Sequence, residues 1–427
     1  MESDKNGPAR QENDIAEKES DIRYWTRVVC PSVRSLLHAA GSYTAEDIEA
    51  QMRTLREVVL PDLGPRPSRA PGPSYLFQGG CPFQLSINTT SKANAVRYVW
   101  EVLGERGHTS DDPLAMQTTR DTVSRLSAKF GLSTKWSDVL LSALELTTKE
   151  AQKAVEKMPE WILEHLEKGA VVPRIKNLPF GFVAFDLKES DVSIKLYITL
   201  KAREIFTGKS AADVIFDSLR NFTPAFKPEA IDMIQNFLSG LSEKMPLEVI
   251  AIDCVDEAHL SEARVKLYCH STSNSFNTVK KWLTIGGKVK DENTLKGLQI
   301  LRSMWHLFIQ KPEGIPDDEL ETPVNLENAL KHRMYFSFEL KPGQDIPQVK
   351  TYLPIWRYAP SDEQAIDNFE AAFRQCHHPW GEDGTYGRIF RNALCAPPIH
   401  GDLAYIYCEK RGVYQTIYVT PPLLEED

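Results

Sequence analysis

Two hydrophobic periods alternate along the chain. In "VSIKLYIT" (192–199) and "ARVKLYCH" (263–270) apolar and polar residues exchange at every position. That is the period of a strand with two unlike faces. Strands of this kind are expected in pairs over 83–90 and 95–102, 181–187 and 192–200, 247–254 and 263–270, 333–341 and 348–355, and 402–408 and 413–420. Between the pairs the period changes to that of an amphipathic helix. "DPLAMQTTRDTVSRLSAKFG" (112–131) starts with Asp-Pro and closes on Gly131, both helix boundary signals. Further helices are expected over 23–56 (two), 135–169, 209–220, 228–243, 277–283, 291–309 and 361–378. "LPDLGPRPSRAPGPS" (60–74) reads as a loop.

Five units of helices and paired strands imply an architectural repeat. Antiparallel hairpins in series can close on themselves and so remove their exposed edges. The expected fold is α+β: a ten-stranded antiparallel β-barrel with a solvent-accessible centre, surrounded by α-helices in repeated ααββ units. A barrel that wide has room for a ligand. The polar, acidic residues 1–20 read as a disordered tail, and residues 21–427 as one barrel domain.

Composition narrows the function. The 427 residues are 42% hydrophobic and 26% charged, with a formal net charge of −9. That balance fits a globular chain and argues against a nucleic-acid surface. No apolar run reaches the roughly 20 residues a membrane helix needs. The seven cysteines are scattered without a Cys-x-x-Cys pair, as expected for free thiols in the cytoplasm.

The charged positions then stand out. Arg264, Lys266 and Tyr268 share one face of their strand, while Val265, Leu267 and Cys269 share the other. Lys195 with Tyr197, and Lys350 with Tyr352, repeat the arrangement. The ordinary alternative is a sheet with one solvated face. If the apolar faces pack on the helices, the cations point inward. Converging lysine and arginine suit phosphate oxygens, and tyrosine faces beside them can stabilise a cation. An anion next to a developing carbocation describes an allylic diphosphate as it ionises.

The ordered set "VLPDLGPRP", "CPFQLSIN", "VRYVWEVLG", "FDLK", "IKLYIT", "ARVKLYCHSTSNSF", "TIGG", "QVKTYLP" and "GVYQTIYV" resembles the dimethylallyltryptophan-synthase family of fungal aromatic prenyltransferases. The resemblance implies transfer of a prenyl group, dimethylallyl first among them, from its diphosphate to an aromatic acceptor. The acceptor would be an indole derivative, a phenol or a polyketide. Prenyl diphosphate would be a co-substrate, with no cofactor and no metal required. A second copy of the chain is left open as a partner. Arg97, Lys195, Arg264, Lys266 and Lys350 would bind diphosphate. Tyr197, Tyr268, Tyr352, Tyr414 and Tyr418 would shield the cation, with Arg411 as a further member of the last hairpin. Leu76, Gln84 and Phe182 would meet the acceptor, and Gln84 and Lys195 hold the catalytic positions. One departure matters: the family usually has a glutamate where this chain has Gln84. An amide accepts a hydrogen bond but takes no proton near neutral pH. Phe182 and the apolar "VIAID" (249–253) favour a larger, less charged acceptor than free tryptophan. A cyclase on the same barrel and a non-catalytic diphosphate-binding relative remain alternatives.

Other motifs carry less. "DDELE" (317–321) has the spacing of a metal–diphosphate motif but reads as a solvated segment. "TIGG" (284–287) reads as a turn, and His377-His378 lacks zinc-site spacing.

Overall fold

The computed structural model describes residues 8–70, 72–74, 77–90, 92–105, 107–171, 178–243, 246–310, 318–326, 330–393 and 399–426. Ten strands form a closed barrel. They are β1 (Phe83–Thr89), β2 (Asn94–Glu101), β3 (Gly181–Lys188), β4 (Asp191–Thr199), β5 (Leu247–Cys254), β6 (Val265–Ser271), β7 (Met334–Leu340), β8 (Gln348–Pro354), β9 (Ile399–Cys408) and β10 (Gly412–Thr420). Each strand pairs antiparallel with its neighbours in sequence, and β1 pairs with β10 to close the ring.

The helices lie between the hairpins in the chain. α1 (Pro8–Ala40) and α2 (Ala45–Thr54) precede the first; α3 (Met116–Phe130), α4 (Lys135–Leu144) and α5 (Thr148–His165) follow it. α6 (Lys201–Thr207), α7 (Ala212–Arg220) and α8 (Pro228–Ser239) come next, then α9 (Phe276–Leu283) and α10 (Glu292–Phe308). α11 (Asp362–Gln375) and the short α12 (Pro379–Glu382) and α13 (Thr385–Arg388) precede the last hairpin. The Thr44 and Thr147 capping boxes start α2 and α5.

The strand alternation decides what faces what. Val265, Leu267 and Cys269 are fully buried on the outer side of β6, and Phe83, Leu85 and Ile87 on that of β1. Trp282 of α9 stacks on Phe336 of β7 at 4.6 Å and 7°. The hydrophobic core is therefore the layer between barrel and helices, and the polar faces are left to line the interior.

Three departures from the sequence reading have local causes. The helix expected from Asp112 begins at Met116; the Asp112 carboxylate instead accepts the N–H groups of Gln117 and Thr118, at 3.2 and 2.9 Å. α6 follows β4 directly and was not expected. Residues 8–20, expected to be a tail, form the first turns of α1. Arg69 holds that stretch by pairing with Glu17 at 2.6 Å and Asp21 at 2.5 Å, and Arg66 donates to Ser20 Oγ at 2.6 Å.

Candidate active site

Cross-strand register builds the cationic part of the interior. Arg97 on β2 lies opposite Asp186 on β3, Lys195 on β4 opposite Asp253 on β5, and Lys266 on β6 opposite Glu339 on β7. Arg97 Nε meets Asp186 at 2.9 Å, and Lys195 Nζ donates to the same carboxylate. Lys195 also lies 3.8 Å from Asp253, which pairs with Arg264 at 2.6 Å. Glu339 serves Lys266 at 3.2 Å and Arg264 at 3.4 Å. Lys350 has no carboxylate partner among the described residues. Its ammonium donates to Thr416 Oγ1 at 3.2 Å and lies 4.7 Å over the Tyr414 ring and 5.7 Å from that of Tyr352.

The charges follow from these pairings. Burial works against an ionised Asp186, but Arg97 and Lys195 outweigh it and hold the carboxyl well below its usual range. Asp253 and Glu339 are lowered in the same way, burial being overcome by Lys195 and Arg264 for one and by Lys266 and Arg264 for the other. Burial lowers Lys266 despite the pull of Glu339, and repulsion from Arg264 and Lys195 adds to it. Burial lowers Lys350 much further, and repulsion from Lys266 and Arg97 adds to it. Five basic side chains converge on three carboxylates, so among the described residues the basic groups outnumber the acids that pair with them. An anion would pair with the remainder.

Next to the cations runs an aromatic belt. Phe182 stacks on Tyr197 at 4.6 Å and 15°. Tyr197 meets Tyr268 at 5.8 Å, Tyr268 meets Tyr352 at 5.5 Å, and Tyr352 meets Tyr418 at 6.4 Å. Burial raises the phenols of Tyr197, Tyr268, Tyr352 and Tyr418, so all four stay protonated at neutral pH. The belt lines a cavity of about 640 Å³ together with Arg97 and Asp186 from the cationic cluster, and Gln84, Ser86, Phe77, Val249, Leu330, Trp356 and Asp402 are also on its wall. That volume is in the range of drug-sized ligand sites, about 300–1,000 Å³.

The cavity also reaches a second polar group. Glu248 accepts from Lys201 at 3.1 Å and lies 2.6 Å from His270 Nδ1, while His270 and His332 stack at 3.8 Å. The donor atoms of Glu248, His270 and His332 lie within 4.8 Å of one another, close enough to share a cation. The Lys201 ammonium already rests on Glu248, and it lies 4.6 Å over the Trp161 ring. Burial holds His332 neutral. The arrangement places two imidazoles and one ammonium around a single carboxylate.

A profile of the family described as "Tryptophan dimethylallyltransferase" matches residues 21–387. The chain belongs to this family. It is an aromatic prenyltransferase on a prenyltransferase barrel. Among its relatives, "Indole diterpene prenyltransferase ltmF" of Epichloe festucae var. lolii is 49% identical over 96% of this chain and 95% of its own. "Indole diterpene prenyltransferase terF" of Tolypocladium album is 46% identical over 94% of each. Among solved structures, AnaPT from Neosartorya fischeri superposes with a TM-score of 0.77 at 24% identity, covering 94% of both chains.

In this dimethylallyltransferase-type chain the structure brings together Gln84, Arg97, Phe182, Lys195, Tyr197, Arg264, Lys266, Tyr268, Lys350, Tyr352, Tyr414 and Tyr418. Leu76 lies outside the described residues. Arg411 is exposed in the β9–β10 turn. Gln84 lines the cavity and its amide has no hydrogen-bond partner among the described residues. Sequence reasoning missed the three carboxylates. Each is a lone acid inside an apolar strand, at the register position opposite a cation, and that pairing was the available signal. It also took "VIAID" as apolar, whereas Ile250 and Ile252 pack outward and Asp253 points to the cations. The titratable groups Glu248, His332, Arg357 and Asp402 on the cavity wall were missed as well. The set-aside motifs sit elsewhere. Asp318 pairs with Arg302 at 2.6 Å and Glu321 with Arg333 at 3.0 Å, while Asp317 is outside the described residues. His378 is buried against Thr90 O at 3.0 Å.

Proposed function

We propose that the chain transfers a dimethylallyl group from dimethylallyl diphosphate to the indole ring of a large terpenoid acceptor. The carrying observation is the near full-length similarity, at 49% and 46% identity, to two proteins named as indole diterpene prenyltransferases. The site supports each step. Arg97, Lys195, Arg264, Lys266 and Lys350 take up the negative charge that grows on the leaving diphosphate. The belt from Phe182 to Tyr418 offers π faces to the allyl cation and keeps water from it. Phe77, Val249, Leu330 and Trp356 give the acceptor an apolar wall.

These cations supply the charge a metal would otherwise provide, so turnover is expected to persist in excess EDTA. The test pairs dimethylallyl, geranyl and farnesyl diphosphates with an indole diterpene, tryptophan, cyclic dipeptides and phenols, read by mass spectrometry. The expected product is the dimethylallylated indole diterpene. Preferential prenylation of tryptophan or a phenol would refute the acceptor assignment. A hydrocarbon formed without acceptor would replace it with the cyclase.

A further inference from the structure

Aromatic substitution ends with loss of a proton from the ring, and the position expected to take it carries an amide, Gln84. The cavity wall offers few substitutes. Asp186 is tied to Arg97 and Lys195, and Glu248 to Lys201 and His270. His332 is buried beside His270, whose proximity lowers its basicity further, and the tyrosines hold their protons.

Asp402 is different. Between the pairs Leu403↔Ile417 and His400↔Val419 the register slips, so Gly401 and Asp402 together face the single residue Tyr418. Such a bulge re-aims a side chain and is found beside active sites. His400 turns outward to Tyr386 at 2.8 Å and Asp362 at 3.0 Å, and Tyr405 outward to Gly297 O at 2.9 Å. Asp402 lines the cavity instead. Its carboxylate has no hydrogen-bond or ion-pair partner among the described residues. Gln84 lines the same cavity and lies beside the preceding residue of the bulge: a Cβ added at Gly401 would come 3.1 Å from Gln84 Nε2. Arg357 lines the same wall, its Nη1 donating to Leu330 O at 2.8 Å while its buried Nε has no partner.

We propose that Asp402 is the catalytic base of this chain, taking from the acceptor the proton that Gln84 cannot. The assignment rests on the transferase reading above. The step balances: the prenyl carbon–oxygen bond breaks, diphosphate leaves with the electron pair, and the prenyl carbon bonds to the ring. The ring proton then passes to the Asp402 carboxylate and on to water. Burial raises this carboxyl to about 7, with Arg357 pulling it down. It is therefore partly ionised, and basic, at the pH where it would act. The other titratable groups on the same cavity wall are Arg97, Asp186, Glu248, His332 and the tyrosines.

Asp402→Asn and Asp402→Glu are compared with the wild type at saturating donor and acceptor. General-base removal is expected to lower kcat by about 10²–10⁴ in Asp402→Asn, with donor Kd within twofold. Asp402→Glu should recover part of the rate, and Asp402→Asn with Gln84→Glu part as well. Wild-type kcat should fall as pH drops through the neutral range. Infrared difference titration of wild type against Asp402→Asn, without substrate, should show one carboxyl that ionises near neutrality. Asp402→Asn keeping kcat within threefold, or a carboxyl that ionises in the ordinary carboxylate range, would overturn the assignment. A wild type that binds donor but prenylates no acceptor overturns the transferase reading instead, and the infrared titration then decides Asp402 by itself.

Discussion

Of the five cations in the proposed donor site, Lys350 has no carboxylate partner among the described residues, and this sets its expected behaviour. In the free protein its ammonium has one hydroxyl and two ring faces for company. Burial, with Lys266 and Arg97 adding repulsion, lowers it well below an ordinary lysine. A diphosphate in the cavity reverses the balance and raises it. A group whose affinity for protons rises on binding takes up a proton, so donor affinity should weaken as pH climbs from the free value toward the bound one. Lys350→Met removes this contact while keeping most of the buried stem. A charge-assisted hydrogen bond contributes about 1.5–3 kcal/mol. Part of the gain here is spent on protonation, so a loss of about 2 kcal/mol is expected, roughly 30-fold in Kd. Calorimetry with inorganic diphosphate, in two buffers of different ionisation enthalpy, separates binding from proton uptake. Wild type should take up protons on the alkaline side and Lys350→Met should not. A variant that binds within twofold of wild type and takes up the same protons would refute this account of the site.

Other outcomes follow from the same geometry. Lys266→Ala should weaken donor binding by roughly tenfold or more in calorimetry, since it also leaves Glu339 facing the diphosphate. Tyr268→Ala opens the belt between Tyr197 and Tyr352, so the share of prenyl alcohol among the products, measured by mass spectrometry, should rise. Glu248→Gln leaves Lys201 buried without its main carboxylate. Losing one partner of such a pair costs about 3–5 kcal/mol, visible as a lower denaturant midpoint.

Much of the barrel was legible because period-two alternation is strong wherever one face is buried under helices, as Val265, Leu267 and Cys269 show. The cations were legible for the same reason: Lys195, Lys266 and Lys350 sit on the wrong face for solvent. The carboxylates were not, because a single aspartate in "VAFDLK" or "VIAIDC" gains meaning only from its partner across the register. Asp402 was hidden more deeply. Simple alternation does not mark an irregularity at Gly401. The network of Glu248, His270 and His332 joins two strand ends and a linker that are far apart in the chain, so no local spacing announces it.

The seam between β1 and β10 has a consequence for synthesis. Leu85 meets Val419 and Ser86 meets Tyr418, so the first strand must wait for the last before the ring closes. Loop closure over such a span is slow compared with forming any single hairpin. Until then the cationic strands have an open edge, and the belt lacks Tyr418. A nascent chain released short of the last strand would carry four complete hairpins and all five of the proposed donor-site cations without an enclosed chamber. It would present an unpaired strand edge to its neighbours instead.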